Sequence, residues 1–130
     1  MKQLKGIDGK LDRAWSLLVK HRAGFRCEYC NTRVKRLESH HIYSRSNRST
    51  RWDTINGICL CTGHHVFSSS FSAHKTPVEF TEWLYKEKGE AWMSELRHKA
   101  HGISKLKKFE KEELLKHLLS QIEYYENKQK

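Results

Sequence analysis

The chain has 130 residues, of which 37% are hydrophobic and 31% charged, a globular composition with a thin supply of core. No apolar run approaches the ~18 residues that a membrane span needs, and the N-terminus lacks a secretory signal's apolar segment, so no membrane association and a cytosolic location are expected. Twenty-five Lys and Arg against fifteen Asp and Glu leave a formal charge of +10, a field that favours polyanions and makes nucleic acid the expected partner.

In chain order, LDRAWSLLVKHRAGF spaces Leu11, Trp15, Leu18 and Val19 on one helical face, with Asp8 as the expected N-cap and Gly24 as the stop. The knuckle Cys27-Glu28-Tyr29-Cys30 follows. RLESHHIYS reads as a strand, residues 44–54 as a polar arginine-rich loop, and Ile58-Cys59-Leu60, after the turn signal Asn56-Gly57, as a second strand closing a hairpin. Thr76-Pro77-Val78-Glu79 has the pattern of a capping box with Pro at the first helical position. The helix it opens carries Phe80, Trp83 and Leu84 on one face and ends or kinks at Gly89. A further helix puts Trp92, Met93 and Leu96 on one side and closes at Gly102. The last, from about Phe109 to Tyr125, carries Leu114, Leu115, Leu118, Leu119, Ile122 and Tyr125 at helical spacing, with a frayed ENKQK tail. The result is a single α+β domain: an N-terminal helix (1–24), a metal-stapled core (25–75) and a helical extension (76–130). The last helix is expected to serve as a packing face, with dimerisation or contact with DNA as alternatives; a monomer and a homodimer both remain open.

All four cysteines, Cys27, Cys30, Cys59 and Cys61, fall in the first half. In a reducing compartment such clustering argues for a structural zinc ion rather than disulfides. Cys27-x-x-Cys30 supplies one pair of ligands. The second pair is either Cys59 with Cys61, or Cys61-x-x-His64, which repeats the two-residue spacing that lets a chain curl around an ion. The favoured set is Cys27, Cys30, Cys61 and His64, leaving Cys59 as a buried strand residue.

The order Cys27-x-x-Cys30, His40-His41, Asn56, Cys61-x-x-His64-His65 resembles the HNH nucleases, whose fold is the ββα-metal finger. The wording HHIYSRSNRSTRWDTINGICLC is similar to phage-encoded members, including recombination nucleases of the NinG type, and the resemblance extends from Cys27 to about Trp83. It implies a zinc-stapled ββα-metal core and a DNA endonuclease. His41 is then the general base, the Asn56 side-chain carbonyl accepts a hydrogen bond from the other ring nitrogen of His41 and orients the ring without taking its proton, and His40 and His65 bind a catalytic divalent metal. Many members have Asp where this chain has His40, so the nitrogen-rich site favours Mn²⁺, Ni²⁺, Co²⁺ or Zn²⁺ over Mg²⁺ in affinity, while availability favours Mg²⁺ or Mn²⁺. A further ligand that several members place one turn beyond the last histidine falls here on Ser69; His74 is the candidate replacement. His21, His98, His101 and His117 lie outside the motif and are expected at the surface.

Arg45, Arg48 and Arg51 recur every third position in the polar loop, among hydroxyl side chains, and are candidates for DNA phosphate contacts, with Trp52 packed beneath them. Lys105, Lys107 and Lys108, with Lys111 nearby, form a second basic segment that either contacts the duplex backbone or is a solvated linker. Two alternatives stand beside the nuclease: a zinc-dependent DNA-binding module without catalysis, and a junction-resolving recombination nuclease.

Overall fold

The computed structural model describes residues 6–129. In order, these form α1 (Ile7–Arg22), β1 (Leu37–His41), a 3₁₀ turn (Thr54–Asn56), β2 (Gly57–Cys61), a wide helical turn (Gly63–Phe67), α2 (Pro77–Lys88), α3 (Glu90–Ala100) and α4 (Lys108–Lys128). The two strands pair antiparallel, from Leu37 opposite Cys61 to His41 opposite Gly57. Successive side chains on a strand point to opposite faces, and each face of this hairpin has its own core. Cys59 packs with Trp15, Leu18 and Val19 of α1 and with Leu118 and Ile122 of α4. Ile58 and Leu60 pack with Phe80 and Leu84 of α2 and Met93 of α3. The α+β architecture is therefore a hairpin between two helical layers. Every residue of β2 is buried, which is why it reads as a continuous apolar run, whereas β1 is half-buried throughout and keeps polar side chains for the site.

Gly57 sets the distance between α1 and the hairpin. A Cβ there would lie 2.3 Å from Val19 Cγ2 and 2.8 Å from Trp15 Cζ2, so only glycine lets the helix rest directly on the strand. Gly24 and Phe25 take positive φ of 69° and 54°. Their N–H groups donate back to the carbonyls of His21 and Lys20 at 3.0 and 2.9 Å, stopping α1 where the sequence predicts. Gly89 likewise ends α2, with φ 89°.

Several local expectations are corrected. Asp8 is not the cap of α1: the helix starts at Ile7 behind Gly6, and the Asp8 carboxylate accepts from Lys111 Nζ of α4 at 2.8 Å. The Thr76–Glu79 capping box is not made. The Thr76 hydroxyl instead donates to the Ser72 carbonyl at 3.0 Å and accepts from the Ser72 N–H at 2.9 Å, closing the loop before α2 on itself. The ENKQK tail is not frayed as far as Lys128, which is still helical. Leu119, expected on the packing face, is 51% exposed. His21, expected at the surface, is buried, with its ring against Tyr125 at 5.3 Å and edge-on to Phe25 at 4.8 Å. Among the described residues no helix is long and apolar enough to cross a membrane.

Candidate metal centres

The donor atoms of Cys27, Cys30, Cys61 and His64 all lie within 4.8 Å of one another. The Cys30 and Cys61 sulfurs are 3.9 Å apart, and His64 Nδ1 is 3.3 Å from Cys61 Sγ and 3.9 Å from Cys27 Sγ. A tetrahedral ion with Zn–S and Zn–N bonds of ordinary length has ligand–ligand edges of roughly 3.5–3.8 Å, so this donor set fits a structural metal such as zinc. The knuckle is held by its own backbone: Asn31 N–H donates to the Cys27 carbonyl at 2.8 Å and Cys27 N–H to the Thr32 carbonyl at 3.0 Å. Burial raises the Cys27 pKa, but the N–H groups of Cys30, Cys61 and Tyr29 around its sulfur win and lower it, favouring the thiolate that a metal requires. Tyr29 stacks on Phe71 at 3.7 Å and edges against Trp83, forming an aromatic wall over the knuckle.

Cys59 is outside this group. Fully buried on the opposite face of the hairpin, its thiol is pushed up to about 12 by burial and then by the Glu28 carboxylate. It is a neutral core residue, and the fourth donor of the cluster is His64.

The adjacent histidines of β1 part company because a strand alternates. His40 faces the α2 side, where its Nδ1 is 3.1 Å from His65 Nε2, and His74 Nε2 approaches the same atom at 3.1 Å. The donor atoms of His40, His65 and His74 form a second candidate metal-binding group. His74 is brought in by backbone pairing: Ala73 and His74 N–H donate to the His64 and His65 carbonyls at 2.9 and 3.0 Å. Glu38, two residues before His40 on the same strand face, accepts from His65 Nδ1 at 2.9 Å. A carboxylate only accepts, so in the neutral ring Nδ1 carries the hydrogen and the Nε2 lone pair faces the other two imidazoles. Burial, then the neighbouring His65 and His74, hold the His40 pKa at about 3, so its ring is neutral near pH 7, the form in which imidazole can bind a cation. Glu38 was not legible as a ligand's partner without the strand register.

His41 faces α1. Its ring lies flat on the Trp15 indole, centroids 3.8 Å apart and planes 6° from parallel, and its Nε2 is 2.9 Å from the Arg51 carbonyl oxygen. That oxygen can only accept, so Nε2 carries the hydrogen and Nδ1 the lone pair. Burial lowers the His41 pKa, against the opposing pull of the Arg51 carbonyl and Asp12. The two faces of β1 meet at its edge in a cleft of about 440 Å³ whose lining includes His40, His41, His65, His74 and Arg45.

Asn56 does not bond to His41, contrary to the sequence expectation. Fully buried, its Oδ1 accepts from Tyr43 N–H at 2.7 Å and its Nδ2 donates to the Tyr43 and Thr50 carbonyls at 3.0 and 3.2 Å. It clamps the two ends of the polar loop, and the loop's Arg51 carbonyl orients the ring. Replacing Asn56 by Ala leaves the Tyr43 N–H and carbonyl without partners, each costing about 1–3 kcal/mol, while the Thr50 carbonyl keeps the Asp53 N–H at 3.1 Å. Asn56→Ala is therefore expected to lower the thermal midpoint by several degrees; a full-stability variant would mean the clamp is dispensable.

The three arginines do different jobs. Asp12 of α1 accepts from Arg51 Nε and Nη2 at 3.0 and 2.8 Å, from Arg45 Nη2 at 2.9 Å and from Trp52 Nε1 at 2.8 Å. Burial raises the Asp12 pKa, yet these donors together hold it below the usual carboxylate range. The Arg51 side chain, 14% exposed, is a strut inside the fold, while that of Arg45, 52% exposed, reaches the histidine cleft. Arg48 opens instead onto a groove of about 580 Å³ shared with Phe109 and His117. Trp52 is buried beneath the loop as expected. Lys105, Lys107 and Lys108 are exposed, whereas Lys111 is engaged by Asp8.

No family model matches this chain, and comparisons with curated proteins and with solved structures returned no match.

Proposed function

We propose that this chain is a metal-dependent DNA endonuclease of the HNH type, built on a zinc-stapled ββα-metal core. The observation that carries this reading is the His41 ring, fixed through Nε2 by a main-chain carbonyl and lining the same cleft as three imidazoles that could hold a metal ion. A non-catalytic DNA-binding module has no use for such a pair of features.

His40, His65 and His74 would hold the catalytic cation, and Cys27, Cys30, Cys61 and His64 the structural zinc. A divalent cation there supplies Lewis-acid stabilisation of the charge that builds on the phosphate and on the departing oxygen. The all-nitrogen donor set ranks Mn²⁺, Co²⁺, Ni²⁺ and Zn²⁺ above Mg²⁺ in affinity. His41 acts as general base: its Nδ1 removes a proton from the water whose oxygen attacks phosphorus, the bond to the 3′ oxygen breaks, and the departing oxygen takes a proton from solvent water, so that 5′-phosphate and 3′-hydroxyl ends result. Neutral imidazole is the form needed, and the burial that lowers the His41 pKa favours it. Arg45 exchanges part of its pairing with Asp12 for the scissile phosphate, while Arg51 keeps Asp12 neutralised. Asn56 serves indirectly, by holding the loop that carries the Arg51 carbonyl.

The test is cleavage of plasmid and of labelled duplex, nicked, branched and single-stranded DNA with Mg²⁺, Mn²⁺, Co²⁺, Ni²⁺ and Zn²⁺ in turn. Cutting is expected with at least one transition metal. Preference for the branched substrate would narrow the activity to junction resolution; DNA binding without nicking under every metal would leave the binding module and remove the nuclease.

A further inference from the structure

Asp12, Trp15 and Ser16 stand at positions i, i+3 and i+4 of α1 and so share one face of the helix. Each touches the surroundings of His41 by a different route. Trp15 covers one face of the imidazole in a near-parallel stack at 3.8 Å. The indole cannot swing away, because it is 2% exposed and its Nε1 donates to the Asp53 carbonyl at 2.8 Å. Asp12 grips the Arg51 guanidinium through two bonds, and the carbonyl of that same residue takes the His41 Nε2 hydrogen. Ser16 offers its carbonyl to the Ser39 hydroxyl at 2.7 Å, anchoring β1 two residues before His41. The imidazole is thus fixed from one side, at one nitrogen and through its own strand, all from a single helix face that lies before the motif in the chain.

We infer that α1 is the positioning element of the base, with Trp15 and Asp12 as positioning residues that aim His41 Nδ1 at the cleft. This rests on the nuclease reading above. The helix has a packing role in any case, since Leu11, Leu18 and Val19 are buried in the same core. What distinguishes a positioning role is that loss of the stack displaces the ring even when the fold survives. Misplacement of a reacting group by about 1 Å can cost on the order of 10²-fold in rate. The flat indole also favours the positive charge that forms on the ring as it takes the proton.

The experiment compares Trp15→Leu, Trp15→Phe, Asp12→Asn and, as a packing control on the same helix, Leu18→Ala, all as full chains loaded with zinc. For each, kcat and KM for a cleavable DNA, zinc content, thermal midpoint and the NMR shifts of the His41 ring protons are measured. In the wild type the stack places the ring over the indole, and upfield shifts of those protons are expected. Trp15→Leu is expected to return them towards ordinary values and to lower kcat by roughly 10- to 100-fold with KM within about threefold. Trp15→Phe, which keeps an aromatic face, recovers most of the rate. Leu18→Ala loses stability but keeps both the shifts and kcat. Should Trp15→Leu fail to fold, Asp12→Asn on the partly exposed side of the helix carries the test, with a similar fall in kcat. If the folded Trp15 or Asp12 variant falls no further than Leu18→Ala, or the His41 protons do not move, the positioning role is wrong. A wild type that cuts, with an inactive His41→Ala, shows that the nuclease reading survives such a failure; a wild type that cuts nothing removes both.

Discussion

Cys61→Ser and His64→Ala are expected to lose the structural zinc and most of the cooperative fold, while Cys59→Ala keeps the metal and loses only packing. Cys61 sits at the end of β2, joined to the α2 and α3 core through Ile58 and Leu60. His64 stands in the wide turn that follows, and Cys27 and Cys30 lie in a knuckle with no strand or helix of its own. The knuckle is tied to β2 by few other bonds, chiefly Glu28 N–H to the Cys59 carbonyl and Cys59 N–H to the Glu28 carboxylate, both 2.8 Å. Zinc binding in small sites of this kind contributes an apparent ~10–16 kcal/mol at neutral pH, comparable with the whole ~5–15 kcal/mol stability of a domain. Removing one of four ligands therefore outweighs any single core change. Cys59→Ala, by contrast, deletes one buried sulfur at a cost of about 1–2 kcal/mol. Zinc per chain by elemental analysis, with thermal denaturation before and after a chelator, separates the two. Zinc retained in His64→Ala but lost in Cys59→Ala would overturn the ligand assignment.

The Cys27, Cys30, Cys61 and His64 cluster that could hold a structural metal was legible because each pair is encoded locally, two residues apart, and a knuckle needs little else. The hairpin and its flanking helices were legible from the continuous apolar run of β2 and the helical spacing around Trp15, Phe80 and Leu118. What could not be read is what depends on long-range placement. Asp12 is a plain charge on a helix until the arginine loop folds across α1 to meet it. His21 looks like a surface histidine until α4 returns and lays Tyr125 on it. The group that orients His41 is a main-chain carbonyl, and main-chain groups leave no mark in the sequence; the motif asparagine acts one step away, on the loop. His74 reaches His65 through backbone bonds between residues 73–74 and 64–65, a pairing with no residue-type requirement. Thr76 shows the opposite failure, since its capping pattern is present but its hydroxyl is used by Ser72.

On the proposed reaction, His41→Ala is expected to lower kcat by about 10²–10⁴-fold, the usual contribution of a positioned general base, with zinc content, thermal midpoint and DNA affinity close to wild type. The structure gives reasons for each half of that expectation. The His41 imidazole stacks on the Trp15 indole and bonds the Arg51 carbonyl, so its removal costs local packing while the strand pairing of β1 with β2 is kept, and the fold is expected to persist. Its Nδ1 has the lone pair that the chemistry needs, because Nε2 is committed to Arg51. The three metal-facing histidines should respond differently. His74 comes from a loop and is the exposed member of the set, whereas His65 is oriented by Glu38. His74→Ala is therefore expected to weaken metal binding and to be rescued by raising Mn²⁺ or Co²⁺, while His41→Ala is not rescued at any metal concentration. That contrast separates a base from a ligand without relying on the rate alone. If added metal restores His41→Ala, then His41 is a fourth ligand of the cation and the proton must be taken elsewhere; if His41→Ala cuts at the wild-type rate, the alternation of β1 has separated the two histidines for packing and not for chemistry.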